Sequence, residues 1–200
     1  MHLCSPFNGQ AMTDKEIKEL YELLKLINSL KLIDRFSLIE KNGRCESVAE
    51  HTWHLCMAVW LFSIIKNKEL DLLKCFKMAL IHDLTEIYSG DYFPYKSDII
   101  IDDIIKNEKE SLDILIKKLP VKLGNEILSL VQEFNERKTD ESKFVWSMDR
   151  FMPYLQYKIS DGDMTDNVEQ NKDFKQKQEI ELIFLEPLLY HLFVFITKNK

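Results

Sequence analysis

Glycine and proline are scarce in this chain, with five of each among 200 residues. These residue types mark the tight turns that join neighbouring strands, so their scarcity leaves little room for a strand-rich fold. We find no strong hairpin signal, no internal repeat and no linker. The apolar residues recur instead at helical spacing. The sequence therefore predicts an all-α helical bundle and one domain, residues 1–200.

The chain also lacks a surplus of positive charge, with 27 Lys and Arg against 33 Asp and Glu and a net charge of −6. A protein that binds nucleic acid through bulk electrostatics needs a basic face, so that partner is not expected. An anionic small molecule is still compatible with this balance, because one Arg or a bound metal reverses the field locally.

Paired cysteines are missing as well, because none of the four cysteines belongs to a CxxC pair. Cys56 and Cys75 lie in apolar segments, where a small buried side chain is the expected role. The opening segment carries neither a basic start nor an apolar run, so no secretory signal is expected. The long apolar stretch 180–196 contains two Glu, a Pro and a His, which disfavours a membrane span. We expect a reducing, cytoplasmic compartment.

Two capping boxes mark helix starts, "TDKE" at 13–16 and "SVAE" at 47–50. The first opens a helix with Ile17, Leu20, Leu23, Leu24 and Ile27 on one face. The second opens a helix to about Ile65 that is apolar on nearly all sides, which predicts a central position in the domain. Further helices are predicted at about 70–89, 98–118, 122–135, 140–159 and from Pro187 onward, with a polar loop over 161–177.

Ionisable side chains interrupt the apolar helices at three places. His51 lies one turn into the second helix, His82 and Asp83 follow an apolar run, and Asp149 stands within "FVWSMDRFMPYL". A lone helical His is usually a hydrogen-bonded core residue, and Asp149 could pair with Arg150. Adjacent helical residues diverge by roughly 100°, however, so that pair is poorly oriented. A carboxylate among core residues is costly unless it is paired or binds a metal, and one shared metal explains all four placements.

Three segments, "ESVAEHTWHL", "ALIHDLTEIYSGD" and "SMDRF", carry a resemblance to a known family. In this order they resemble the HD-domain metal-dependent phosphohydrolases, in particular the compact branch that includes the 5'-deoxynucleotidases. The H…HD…D pattern extends from Arg35 to Phe151, with a motif core of about 35–155 and a C-terminal helix of about 187–198. The "SGDYFPYKSD" segment also resembles a sister group of HD hydrolases whose substrates are less uniform.

The resemblance implies an all-α fold, one divalent metal ion and a nucleotide substrate. By position, the implied metal ligands are His51, His82, Asp83 and Asp149. Glu86 and Asp91 match the residues that assist catalysis, with Asp91 as proton carrier and Glu86 orienting water. Arg35 matches the phosphate-binding Arg, and Arg44 is a second candidate cation. Phe36 stands where nucleotidases often carry Trp, and it either packs against the sugar or base or belongs to the core.

Two imidazoles and two carboxylates suit a borderline divalent ion such as Mn, Co, Mg, Zn or Fe. Alternative functions are a phosphodiesterase or pyrophosphohydrolase acting on another small nucleotide, and a non-catalytic nucleotide-binding protein with a structural metal. Glu86 and Asp91 argue against the non-catalytic alternative, because a structural site needs neither residue. A di-iron oxygenase is disfavoured because no histidine occurs from Leu84 to Asp149.

The apolar C-terminal segment 182–196 predicts a homodimer. It is more apolar than one helix with a single buried face requires, and compact HD hydrolases of this kind are commonly dimeric. Light scattering at micromolar concentration should therefore give twice the chain mass of 23.8 kDa. The mass of a single chain would refute this prediction.

Overall fold

The computed structural model describes residues 13–66, 69–91, 101–161 and 187–198. Helices form most of this part of the chain, and a short antiparallel hairpin joins the first two. The elements in order are α1 (Asp14–Asn28), a 3-10 turn (Ser29–Leu32), β1 (Asp34–Leu38), β2 (Cys45–Ser47), α2 (Val48–Lys66), α3 (Leu72–Ile81), α4 (Glu86–Ser89), α5 (Ile101–Lys117), α6 (Val121–Glu136), α7 (Asp140–Ile159) and α8 (Pro187–Lys198). The prediction of an all-α fold is confirmed, apart from the hairpin.

Both predicted capping boxes are formed. At the start of α1, the Thr13 hydroxyl accepts from the Glu16 amide at 3.3 Å, and the Glu16 carboxylate accepts from the Thr13 amide at 2.7 Å. At the start of α2, the Ser47 hydroxyl accepts from the Glu50 amide at 3.3 Å, and the Glu50 carboxylate accepts from the Ser47 amide at 2.9 Å. These bonds satisfy amides that the helix itself leaves without acceptors.

The hairpin β1–β2 was not predicted, although the Asn42-Gly43 dipeptide in its turn is a hairpin signal. Asn42 has a positive φ of 56°, a conformation that asparagine tolerates better than most residues. A Cβ on Gly43 would lie 2.7 Å from Cγ of Glu40, so only glycine fits this close approach. The turn therefore depends on both residues of the dipeptide.

The register of the hairpin pairs Asp34 with Ser47 and Leu38 with Cys45, with an irregularity between these two pairs. Next to the first pair, the side chains of Arg35 on β1 and Glu46 on β2 approach each other to 3.8 Å. Both side chains are buried, with 11% and 7% of their surface exposed. The hairpin thus brings a cation and an anion together at the start of α2.

The prediction of a single helix at 70–89 is wrong, because this segment forms two helices, α3 and α4, with a turn at 82–85 between them. In this turn the amides of Leu84 and Glu86 donate at 3.0 Å to carbonyls three residues earlier, which is the tighter 3-10 spacing. The predicted stop is confirmed, since Gly90 ends α4 with a φ of 73°. The turn leaves His82 and Asp83 at the end of α3 rather than in the middle of a longer helix.

The main core lies where α2, α3 and α7 pack on one another. Its fully buried side chains are Leu55, Val59, Cys75, Met78, Ala79, Val145 and Met148. The last helix, α8, adds Leu189 to this core, and Leu192, Val194 and Ile196 pack against it. The predicted polar loop beyond Asp161 and the apolar residues 182–186 lie outside the described residues.

Helices α1 and α2 each expose several large apolar side chains. No described residue of α1 is buried, and Ile17 and Leu24 are 52% and 58% exposed. Helix α2 buries one side but exposes the other, where Trp53 and Ile64 are both 66% exposed. By length and composition alone, α2 is one described helix that could cross a membrane. In this structure α2 packs on α3 and α7 through one side, whereas the sequence predicted that it lies at the centre of the domain.

The two caps provide a matched test of where the fold needs support. Ser47→Ala should lower the free energy of unfolding by about 1 kcal/mol, because α2 is packed into the core and its first turn loses an acceptor. Thr13→Ala removes the same acceptor from α1, which buries no residue and can fray locally. Urea unfolding of both variants should therefore show the larger change for Ser47→Ala, and equal losses would contradict this account.

Candidate metal centre

The four predicted ligands come together in space from three helices. Helix α2 supplies His51, the end of α3 supplies His82 and Asp83, and α7 supplies Asp149. The Asp149 Oδ1 atom lies 3.2 Å from His51 Nε2 and 3.3 Å from His82 Nε2. The Asp83 Oδ2 atom lies 3.0 Å from His82 Nε2 and 3.8 Å from His51 Nε2. Two nitrogens and two carboxylate oxygens therefore surround one point.

These separations fit a bound divalent ion. An ion about 2.1 Å from each ligand atom places neighbouring ligands about 3 Å apart when they lie at right angles. The His82 Nε2 atom is buried and makes no well-aligned hydrogen bond within the described part of the chain. The ligand atoms of His51, His82 and Asp83 all lie within 4.8 Å of one another. The donor set thus suits a metal better than it suits a closed set of protein hydrogen bonds.

The backbone fixes which nitrogen of His82 faces the cluster. Its Nδ1 lies 2.9 Å from the carbonyl oxygen of Ala79, so the Nδ1–H donates there. This contact leaves the lone pair of Nε2 directed at the two carboxylates, as a metal ligand requires. The side chain is 2% exposed, which prevents the ring from turning into solvent.

The pKa values of the cluster show that its carboxylates favour a positive charge between them. Burial acts to raise the pKa of Asp149, but the neighbouring His82 and His51 together hold that pKa well below its ordinary value. Burial likewise disfavours a charged His82, yet Asp83 and Asp149 together raise its pKa. Burial, with Arg35 second, lowers the pKa of His51 to about 4. The cluster therefore holds one neutral imidazole and favours a cation between its acids.

Strand β1 places the predicted phosphate-binding residue beside this cluster. The Arg35 Nη1 atom lies 2.9 Å from Asp83 Oδ2 and 3.5 Å from Asp91 Oδ1. Burial acts to lower the pKa of Arg35, but the surrounding carboxylates, Asp83 first, raise it above its ordinary value. The guanidinium is thus a permanent charge held next to the proposed metal position.

The short helix α4 brings Glu86 and Asp91 to the other side of Arg35. Burial, with the Asp83 and Asp91 carboxylates next, raises the pKa of Glu86 to about 10. Asp91 also has a raised pKa because of burial, and it accepts hydrogen bonds from the Glu86 carboxyl and the Phe36 backbone amide. Glu86 is therefore the acid of this pair that favours its protonated form, and Asp91 accepts from it. The predicted catalytic residues lie together, and their roles stay a prediction.

Arg44 is the one predicted site residue that the structure does not bring to the cluster. Its guanidinium is bonded to both carboxylate oxygens of Glu50 and to the Cys45 carbonyl oxygen, and its side chain is 60% exposed. Together with the Ser47 amide, Arg44 lowers the pKa of Glu50 to about 2. Arg44 thus supports the start of α2 from outside.

Glu46 was missed by the sequence analysis. It lies on β2, and its Oε2 atom is 3.8 Å from Arg35 Nε and 3.9 Å from His51 Nδ1. Burial raises its pKa to about 7, and Arg35 opposes that shift. The hairpin would have identified it, because β1 and β2 bring the side chains of Arg35 and Glu46 together. Glu46 is the first residue of the segment "ESVAEHTWHL", but the sequence pattern of that segment does not show which residue Glu46 contacts.

An all-helical domain that gathers two His, two Asp and a buried Arg at one point is a metal-dependent hydrolase. The comparison with protein families agrees, because the HD domain model matches residues 27–184. The chain belongs to the HD domain family. It is itself a metal-dependent phosphoric monoester hydrolase.

Named relatives agree with this activity, and a solved structure shares the fold. The chain is 29% identical to the 5'-deoxynucleotidase HDDC2 of Homo sapiens over 70% of this chain and 67% of the relative. It is 30% identical to the protein of the same name from Dictyostelium discoideum, over 68% of this chain and 74% of that relative. The fold matches a predicted metal-dependent phosphohydrolase from Magnetospirillum magnetotacticum MS-1, with a TM-score of 0.81, 23% identity and coverage of 94% and 95%.

The geometry separates metal binding from turnover. Asp149→Ala should abolish tight binding of Mn²⁺ or Co²⁺, because it removes one of four ligands and leaves two imidazoles and Asp83 without their counterpart. Glu86→Gln should keep the ion and lose turnover. Elemental analysis of the dialysed proteins should find one ion per chain in the wild type and in Glu86→Gln.

Asp113 is an exposed aspartate on α5, away from the cluster. The variant Asp113→Ala is therefore the matched control, and it should bind metal like the wild type. Full occupancy in Asp149→Ala, or two tightly held ions in the wild type, would show that the ligand set is misassigned.

Proposed function

We propose that the protein is a 5'-nucleotidase that releases phosphate from nucleoside or deoxynucleoside 5'-monophosphates. The proposed metal ligands are His51, His82, Asp83 and Asp149, and they hold one divalent ion. The observation that carries the proposal is the buried Arg35 guanidinium, 2.9 Å from a carboxylate of that ligand set. A phosphate that reaches the ion there also meets a fixed positive charge. The curated relatives named 5'-deoxynucleotidase support this substrate class.

The bound ion would supply an acidic water and offset charge on the phosphoryl group. Arg35 binds the phosphate oxygens through its Nη atoms, as an arginine fork does with other phosphates. When the phosphate binds, Arg35 gives up some of its contacts with Asp83 and Asp91 and contacts the phosphate oxygens instead. A terminal phosphate has more free oxygens for this fork than a diester has, which favours monoesters.

Glu86 and Asp91 hold the proton that the leaving group needs. Their carboxyl groups are hydrogen-bonded to each other, and the burial that raises both pKa values keeps a proton on the pair. Asp91 takes the proton of the pair from Glu86 and passes it to the departing 5'-oxygen. Glu86 orients the attacking water and accepts the proton that this water loses, which restores the pair. Because Arg35 contacts Asp91 at 3.5 Å, phosphate binding and proton delivery take place side by side.

Phe36 is proposed to contact the nucleoside. Its backbone amide bonds Asp91, which places the residue at the edge of the site, and its side chain is only partly buried. A half-buried ring there offers an apolar face for the sugar or base. We do not extend the proposal to Arg44, since its exposed guanidinium is already bound to Glu50.

We also propose a homodimer in a reducing, cytoplasmic compartment, with the domain running through residues 1–200. The exposed apolar faces of α1 and α2 support self-association more directly than α8 does, because α8 buries Leu189 and packs further side chains on its own core. The free thiols of Cys45, Cys56 and Cys75 support a reducing compartment.

A phosphate-release screen tests the activity directly. Purified protein should release phosphate from thymidine 5'-monophosphate or another nucleoside 5'-monophosphate, lose that activity in a chelator and regain it with Mn²⁺ or Co²⁺. Arg35→Gln should raise KM for the nucleotide at least tenfold, because a charge-assisted phosphate contact is lost.

The exposed Lys41 is on the same hairpin, and Lys41→Gln removes a positive charge there without touching the site; it should keep the wild-type KM. Activity that survives exhaustive chelation would refute the proposal. Rapid cleavage of a cyclic dinucleotide without action on any nucleoside monophosphate would establish the phosphodiesterase alternative instead.

A further inference from the structure

One carboxylate oxygen lies between the proposed phosphate clamp and a proposed metal ligand. The Glu46 Oε2 atom is 3.8 Å from Arg35 Nε and 3.9 Å from His51 Nδ1. The Glu46 side chain is 7% exposed, so its charge has little access to solvent. Arg35 Nε is itself buried and makes no hydrogen bond within the described part of the chain. The same oxygen therefore faces two N–H groups in a dry environment.

Both N–H groups lie on the side of their residue that is turned away from the chemistry. His51 directs Nε2 at Asp149, 3.2 Å away, so Nδ1 is the nitrogen left for Glu46. Arg35 directs Nη1 at Asp83 and Asp91, so Nε is the part left for Glu46. The distances exceed a direct hydrogen bond of about 3 Å, so the attraction is mainly electrostatic.

We propose that Glu46 is a positioning residue that orients His51 for the metal and Arg35 for phosphate. Toward His51, a negative charge beside Nδ1 favours the tautomer with its proton on Nδ1, which leaves the Nε2 lone pair for the ion. Toward Arg35, the Glu46 carboxylate attracts the Nε–H group, so that the two Nη atoms of the guanidinium face the substrate. The Arg35 part rests on the proposed function, whereas the His51 part rests only on the metal centre.

The test compares Glu46→Gln and Glu46→Asp with Glu40→Gln. Glu40 is exposed and lies in the turn of the same hairpin, so its variant removes the same charge from the same element. Co²⁺ affinity is measured by titration calorimetry on metal-free protein, and KM and kcat are measured with thymidine 5'-monophosphate. Thermal unfolding of the metal-free variants establishes that each one is folded.

Glu46→Gln should weaken Co²⁺ binding about tenfold or more, since carboxylates behind a ligating histidine typically have effects of that size. It should also raise KM, because Arg35 loses its orientation, and Glu46→Asp should recover part of both losses. Glu40→Gln should match the wild type in both.

A folded Glu46→Gln protein with the wild-type Kd for Co²⁺ would overturn the inference. If the wild type releases no phosphate from any nucleotide, the proposed function fails, but the Co²⁺ titration still decides the role of Glu46 toward His51. Weaker Co²⁺ binding with an unchanged KM would overturn the Arg35 part alone.

Discussion

Asp83 and Asp149 are largely buried acids, 19% and 15% exposed, that lie against two imidazoles, and their need for a counter-charge governs the rest of the site. An unpaired carboxylate in such surroundings costs several kcal/mol, on the order expected for a buried ion. The contacts of Asp83 with Arg35 at 2.9 Å and with His82 at 3.0 Å, and that of Asp149 with His51 at 3.2 Å, reduce that cost without removing it. A divalent ion at their centre offsets both charges at once, which explains why these four groups converge.

The surrounding fold holds these groups in place through ordinary packing. Helices α2, α3 and α7 bury their apolar faces against one another, and the ligands project from the edge of that contact. The hairpin before α2 then adds Arg35 and Glu46, which no helix of the core could supply from the same direction. The site is thus built from a rigid helical core on one side and a two-stranded hairpin on the other.

The ligand set could be predicted because charged residues in apolar helices conflict with their surroundings. His51, His82, Asp83 and Asp149 each interrupt a run of core residues, and their order along the chain matches a family pattern. Glu46 could not be found in this way, because its role depends on a hairpin that brings its side chain to Arg35. The break between α3 and α4 was missed because the apolar spacing continues across it, whereas the hydrogen bonds tighten at 82–85.

The position of the ion tests this account most directly. Anomalous diffraction from a crystal of the full chain grown with Mn²⁺ or Co²⁺ would locate the metal independently of any activity. The account predicts one strong peak about 2.1 Å from Nε2 of His51, Nε2 of His82 and the carboxylate oxygens of Asp83 and Asp149. No peak at this point, or a peak that omits Asp149 from its ligands, would contradict it.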